Sequence, residues 1–148
     1  MGTDLHGVWQ ARINGEYVDI PTELDLYRNY DLFGVLAGVR GGFDPIDDPR
    51  GLPRDFVTRD CEVKGKYHIV PTVDCLEPWQ RQYAEDMLDG FRVRMGNHSY
   101  SHLTGEEMLR WYNAEKPKAW RGLATFFQEV ERCVAAYGDV RFVFGFDS

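Results

Sequence analysis

Hydrophobic residues recur along this chain at two periods, and each change of period marks an element. Near the C-terminus Val140, Phe142, Phe144 and Phe146 alternate with other residues. That is the two-residue period of a strand packed on a helix layer. Just before it, Trp120, Leu123, Phe127, Val130, Val134 and Tyr137 follow a 3-4-3-4-3 spacing. This is the stripe of an amphipathic helix, and Gly138 stands where a left-handed residue closes it. Its role is core packing, with no catalytic part.

The N-terminal pattern is a hairpin. Leu5 to Arg12 and Glu16 to Ile20 flank Asn14-Gly15, the pair preferred in a type I′ turn because both residues tolerate positive φ. In that register Trp9, Ala11 and Ile13 share one face, and Asp4 and His6 share a face at the strand entry. Leu32, Val35, Leu36 and Val39 then predict a short buried helix over 31–39. Within it, Gly34 and Gly38 permit another element to approach closely. Residues 41–55 hold three prolines and three glycines, a composition that predicts a long loop of the kind that often carries function.

Farther on, 61–73 reads as a second hairpin turning at Lys64-Gly65. Pro78 to Asp89 reads as a helix with Trp79, Tyr83 and Met87 on one face, and Phe91 to Met95 as a short strand. Met108, Leu109, Trp111 and Tyr112 predict a helix that stops before Pro117. The expected architecture is a single α+β domain over residues 1–148, a mostly antiparallel sheet packed against three to four helices.

Between the strand ending at Met95 and the helix around Met108 lies the stretch richest in chemistry, Asn97 to Thr104. It is expected to be a loop carrying His98, Ser99, Ser101 and His102 into a helix start. Thr104 suits the N-cap, with Glu107 reaching back and Leu103 and Met108 closing a hydrophobic staple. Polar groups mounted there are rigid, and the helix N-terminus favours an anion nearby.

Composition narrows the classes. A content of 43% hydrophobic and 14% aromatic residues belongs to a folded chain. No apolar run approaches the roughly 18 residues that span a bilayer, and the start lacks the regions of a signal peptide. A cytosolic protein is expected. Cys61, Cys75 and Cys133 include no close pair, which favours reduced core thiols over a disulfide framework or zinc ribbon. A net charge of −7 opposes binding to duplex nucleic acid and to anionic membranes. Acidic and basic residues are interspersed, so a few converging arginines can still hold a small anion locally.

The histidines His98 and His102 stand four apart but ahead of the helix, so they do not form a helical zinc motif. No spacing specifies a metal site, and no metal or other cofactor is expected. A Gly-Xaa-Ser-Xaa-Gly elbow, a P-loop and a dinucleotide fingerprint are all missing from the sequence. What remains is imidazole acid–base chemistry beside arginines. The expected site uses His98 and His6 as the acid–base pair, with Ser99 and Asp4 orienting the rings. Arg28, Arg40 and Arg50 would hold phosphate. Ser101 is a further ligand contact, and Tyr30, Trp111 or Phe43 would stack on a base. The same residues can hold a nucleotide without cleaving it.

Four segments carry a resemblance: Met1-Gly2-Thr3-Asp4-Leu5-His6, Arg28-Asn29-Tyr30-Asp31-Leu32-Phe33 with Val39-Arg40, Arg50-Gly51-Leu52-Pro53, and His98-Ser99-Tyr100-Ser101-His102-Leu103-Thr104. Together with the closing Val140 to Asp147 they resemble small phage proteins of unassigned function that begin Met-Gly-Xaa-Asp-Ile-His. Leu5 departs harmlessly from the isoleucine of that pattern. His102 stands where it has tryptophan, which implies a packing or rim residue. By analogy of context, the resemblance implies counter-defence in the host cytosol against a small nucleotide immune messenger. The leading expectation is a hydrolase, a metal-independent phosphodiesterase acting on a cyclic (di)nucleotide. The alternatives are a non-catalytic sponge for a cyclic nucleotide or cyclic ADP-ribose type messenger, and an acidic inhibitor of a host protein. A homo-oligomer is left open.

Overall fold

A computed structural model describes residues 2–21, 28–41, 43–56, 98–115 and 121–147. The expected hairpin over 61–73, helix over 78–89 and strand over 91–95 lie outside the described residues. The rest forms one antiparallel sheet of four strands packed against three helices, an α+β architecture.

Strand β1 (Asp4–Ile13) turns back into β2 (Glu16–Asp19) through Asn14 at φ 54° and Gly15 at φ 84°, the double positive φ expected of that dipeptide. Strands β3 (His98–Thr104) and β4 (Val140–Asp147) complete the sheet in the order β2-β1-β4-β3. Strand β4 is therefore central. Every residue from Val140 to Phe146 is buried.

The segment 98–104 is a strand, not the expected loop. Its imidazoles and hydroxyls hide the alternation, and a register shift between His98 and Ser101 breaks it further. Pairing with the apolar β4 decides the outcome, because tertiary context overrides local preference in sheets. The helix start that follows is as expected. Thr104 Oγ1 accepts from Glu107 N at 3.1 Å, and Glu107 Oε1 accepts from Thr104 N at 3.1 Å. Leu103 and Met108, on either side, are fully buried in the same cluster.

Helix α1 (Tyr30–Ala37) begins at Asn29, whose side chain accepts from Leu32 N at 3.2 Å, and ends at Gly38 with φ 71°. Helices α2 (Gly105–Glu115) and α3 (Arg121–Tyr137) follow β3 in sequence. All three helices pack on one face of the sheet, over Leu5, Trp9, Ala11, Leu103, Phe142, Phe144 and Phe146. The rings interlock. Trp9 lies 4.7 Å from Phe142, Phe126 lies 5.4 Å from Phe142, and Phe33 lies 5.2 Å from Phe146. Cys133 of α3 is buried in this layer, and burial pushes its thiol up to about 11. Ile13, expected beside Trp9 and Ala11, is 44% exposed because it lies at the hairpin tip.

The opposite face is not left to solvent. Leu52 and Phe56, from the proline- and glycine-rich stretch, cover Val8, Tyr100 and Val143 in a second small core. The chain reaches that face by folding tightly back over α1. A Cβ at Gly34 would stand 2.9 Å from Gly41 Cα, and one at Gly41 would stand 2.6 Å from the Tyr30 carbonyl oxygen. Ile46 N then donates to Val35 O at 2.8 Å.

Because backbone, not a flexible side chain, meets the added methyl, Gly34→Ala should destabilise the protein by ~1–3 kcal/mol. Chemical unfolding checks this, and an unchanged midpoint would show that the chain can follow α1 without the close approach.

Candidate functional site

One end of the sheet gathers most of the residues singled out from sequence. There β1 begins, β4 ends and β3 begins, with Asp4 opposite Asp147 and His98 opposite Phe146. Asp4 accepts from Arg28 Nε at 2.7 Å and Nη2 at 3.4 Å. The hydrogen bond from Arg28 holds the Asp4 carboxyl below its usual range. The guanidinium lies against Gly2, where a Cβ would come within 2.2 Å of Arg28 Nη1.

Thr3 is fully buried and ties two of the expected ligand-binding residues together. Its backbone N donates to Tyr30 Oη at 3.3 Å, and its Oγ1 accepts from Arg40 Nε at 3.0 Å. Arg40 also sits 6.0 Å from the Tyr30 ring centroid. Among the described residues its Nη1 and Nη2 have no partner. Arg40 adopts φ 61°, a left-handed conformation that costs a non-glycine residue free energy. Such strain persists where surrounding contacts over-determine it, here Thr3 on the side chain and the Gly41 N to Val39 O bond at 2.7 Å on the backbone.

The two histidines of the expected acid–base pair are both at this end, yet they do not meet. His98 shares its register position with Phe146, and the two rings stack at 6.1 Å on the helix side of the sheet. His6 projects from the other face, since it follows Leu5 of the helix-side core. Strand β4 lies between them. Two inter-strand steps put their backbones about 10 Å apart. His6 has a different neighbour, Asp147, with Nε2 3.7 Å from Oδ2. That nitrogen is buried and has no hydrogen-bond partner among the described residues. His98 Nδ1 lies 2.9 Å from Ser99 Oγ, and Ser99 adopts φ 55° at the β3 register shift.

Three expected ligand contacts belong elsewhere. Arg50 is an internal clip: Nη1 and Nη2 fork onto the Glu107 carboxylate, Nε donates to Asp47 Oδ2 at 2.9 Å, and Nη1 also reaches His102 O at 3.2 Å. Ser101 is buried, and its Oγ accepts from Arg50 N at 3.0 Å. Trp111 stacks on Phe127 at 5.6 Å between α2 and α3. His102 is half-buried. Its neutral ring donates from Nδ1 to Gly51 O at 3.0 Å, and burial lowers its pKa.

A polar group that sequence reading missed lies on the second face. Arg141, only 5% exposed, donates from Nε to Gln10 Oε1 at 2.9 Å and from Nη1 to Asp55 Oδ1 at 2.9 Å, and it lies 3.9 Å over the Tyr17 ring. Strand alternation marks Arg141 and Gln10 as pointing away from the helices. It gives no sign that residues 52–56 cover them.

Among the described residues no group of three or more histidines, cysteines, aspartates or glutamates is placed to hold a metal ion, and no helix is long and apolar enough to cross a membrane. No family model, curated protein or solved structure matches the chain.

The Arg50 clip gives a signed pH dependence. Arg50, the largest influence, holds the Glu107 carboxyl at about 2, against 4.5 for the free group. A folded pKa below the unfolded value contributes stability above about pH 4.5 that disappears as pH falls toward 2. Glu107→Gln should therefore melt below wild type at pH 7, with the gap closing through that window. A constant gap would mean that Arg50 does not hold the carboxylate. Arg50→Ala should cost ~2 kcal/mol at neutral pH, as charged hydrogen bonds do.

Proposed function

We propose that this protein captures a small, phosphate-bearing nucleotide at the sheet end formed by Thr3, Arg28, Tyr30 and Arg40. One observation carries the reading. Thr3 fixes Arg40 through Nε, leaving both terminal nitrogens without a described partner beside a Tyr30 ring that is 37% exposed. A guanidinium held in place is a preorganised fork for phosphate, and an exposed tyrosine offers a surface on which a base can stack. Arg28 can exchange the exposed Asp4 carboxylate for phosphate at little cost, because solvent-exposed ion pairs are weak.

Capture is favoured over phosphodiester cleavage by a His6–His98 pair. An acid and a base must both reach the reacting phosphate, and β4 separates these two. The resemblance to small phage proteins points the ligand toward nucleotide immune messengers, cyclic dinucleotides and cyclic ADP-ribose isomers among them. The chain would then act as a sponge in the host cytosol.

The test is incubation with a panel of these nucleotides, followed by chromatography before and after heat denaturation. Sequestration predicts loss of the free nucleotide and its recovery, unchanged, on heating. Arg40→Gly removes the fork while suiting the left-handed backbone, so it should weaken binding about tenfold or more, equivalent to ~1.4 kcal/mol, without lowering the melting temperature. Tyr30→Ala should weaken binding to a similar degree. Failure of every nucleotide to raise the melting temperature would end the capture reading, and equal binding by Arg40→Gly would move it to another surface.

A further inference from the structure

Neighbouring residues of a regular strand point to opposite faces, so an adjacent histidine and serine do not ordinarily meet through their side chains. At the start of β3 they do. His98 pairs with Phe146 and Ser101 with Phe144, so Ser99 and Tyr100 both stand opposite Gly145. That is a bulge, a device that re-aims side chains. Ser99 takes it up at φ 55°, and its Oγ comes within 2.9 Å of His98 Nδ1. Glycine adopts such a backbone freely. The geometry of the turn therefore does not call for serine, and the contact with the imidazole is what serine adds. The ring is oriented in its turn. It stacks on Phe146, which is fully buried and lies 5.2 Å from Phe33 and 6.0 Å from Phe144. Neither Ser99 nor His98 is fully buried.

We infer that Ser99 is a nucleophile and His98 Nδ1 its general base, a dyad assembled by the bulge. With the neutral ring protonated on Nε2, Nδ1 accepts the Ser99 hydroxyl proton. The substrate class is a phosphodiester, and for that choice alone the inference rests on the nucleotide reading. Oγ attacks phosphorus as its proton passes to Nδ1. The bond from phosphorus to the leaving ribose oxygen breaks, and that oxygen takes the proton from His98. Water then attacks the phosphoserine diester, giving its proton to Nδ1. The P–Oγ bond breaks, Ser99 is reprotonated, and a linear nucleotide leaves. This turnover needs no second histidine, and it would return a linear nucleotide on heating where sequestration alone returns the intact one.

A fluorophosphonate probe tests the dyad without any nucleotide, because displacement of fluoride by an activated serine leaves a stable adduct. Wild-type protein should gain the mass of one adduct, mapped to the peptide containing Ser99. Ser99→Gly should gain none while melting at or above the wild-type temperature, since it relieves the positive φ. His98→Gln keeps a hydrogen-bond acceptor but no base, and should label at least tenfold more slowly with its fold intact by circular dichroism. No adduct, an adduct at another residue, labelling of Ser99→Gly, or an unchanged rate in His98→Gln each overturns the inference. A nucleotide that raises the melting temperature of wild type and Ser99→Gly alike, with neither labelled, leaves capture standing and removes the nucleophile alone. Labelling of Ser99 with no nucleotide bound does the reverse.

Discussion

The fold depends on burying β4 from both sides. Its phenylalanines point into the helix layer, while Arg141 and Val143 point into a second layer made by residues without regular structure. A central strand supplies hydrogen-bonding groups to two neighbours and side chains to two faces, so β1 and β3 can be aligned only through it. Their register on β4 decides which residues meet at the sheet end. Asp4, His6 and His98 are there because they sit opposite Asp147, Gly145 and Phe146.

Local chemistry was legible where a few adjacent residues determine the outcome. Asn14-Gly15 makes its turn, Thr104 and Glu107 make their reciprocal cap, Gly138 closes α3 at φ 81°, and the alternating phenylalanines form the strand and face expected of them. Segment 98–104 was misread because its polar side chains resemble those of a loop. Only a partner strand distant in sequence, β4, reveals it as sheet. The same limit applies to the site. Arg28, Tyr30, Arg40, Asp4 and His6 do converge on one end, but the side of the sheet from which each histidine projects depends on pairing that no local spacing encodes.

Arg50 shows why a basic residue in a functional-looking loop is weak evidence of a ligand. Its donors are consumed by Glu107, Asp47 and the His102 carbonyl, so it binds the chain to itself. Arg40 contrasts with it on physical grounds: one nitrogen is anchored and the other two have no partner among the described residues, in a backbone conformation that the anchor helps to hold. Both arginines lie in irregular segments, and only their partners tell them apart.

The strap at residues 50–51 also bears on how the molecule behaves in a crowd. An open sheet has two rims, and an exposed rim is a template for strands of other molecules. Gly51 N donates to Tyr100 O at 2.8 Å and Arg50 reaches His102 O, so backbone acceptors on the outer side of β3 are occupied from within the chain. The opposite rim, β2, is only four residues long. Among the described residues, closing one rim with a loop of the same chain and keeping the other short lets aromatic residues stack densely along a central strand with little open edge for fibrous assembly.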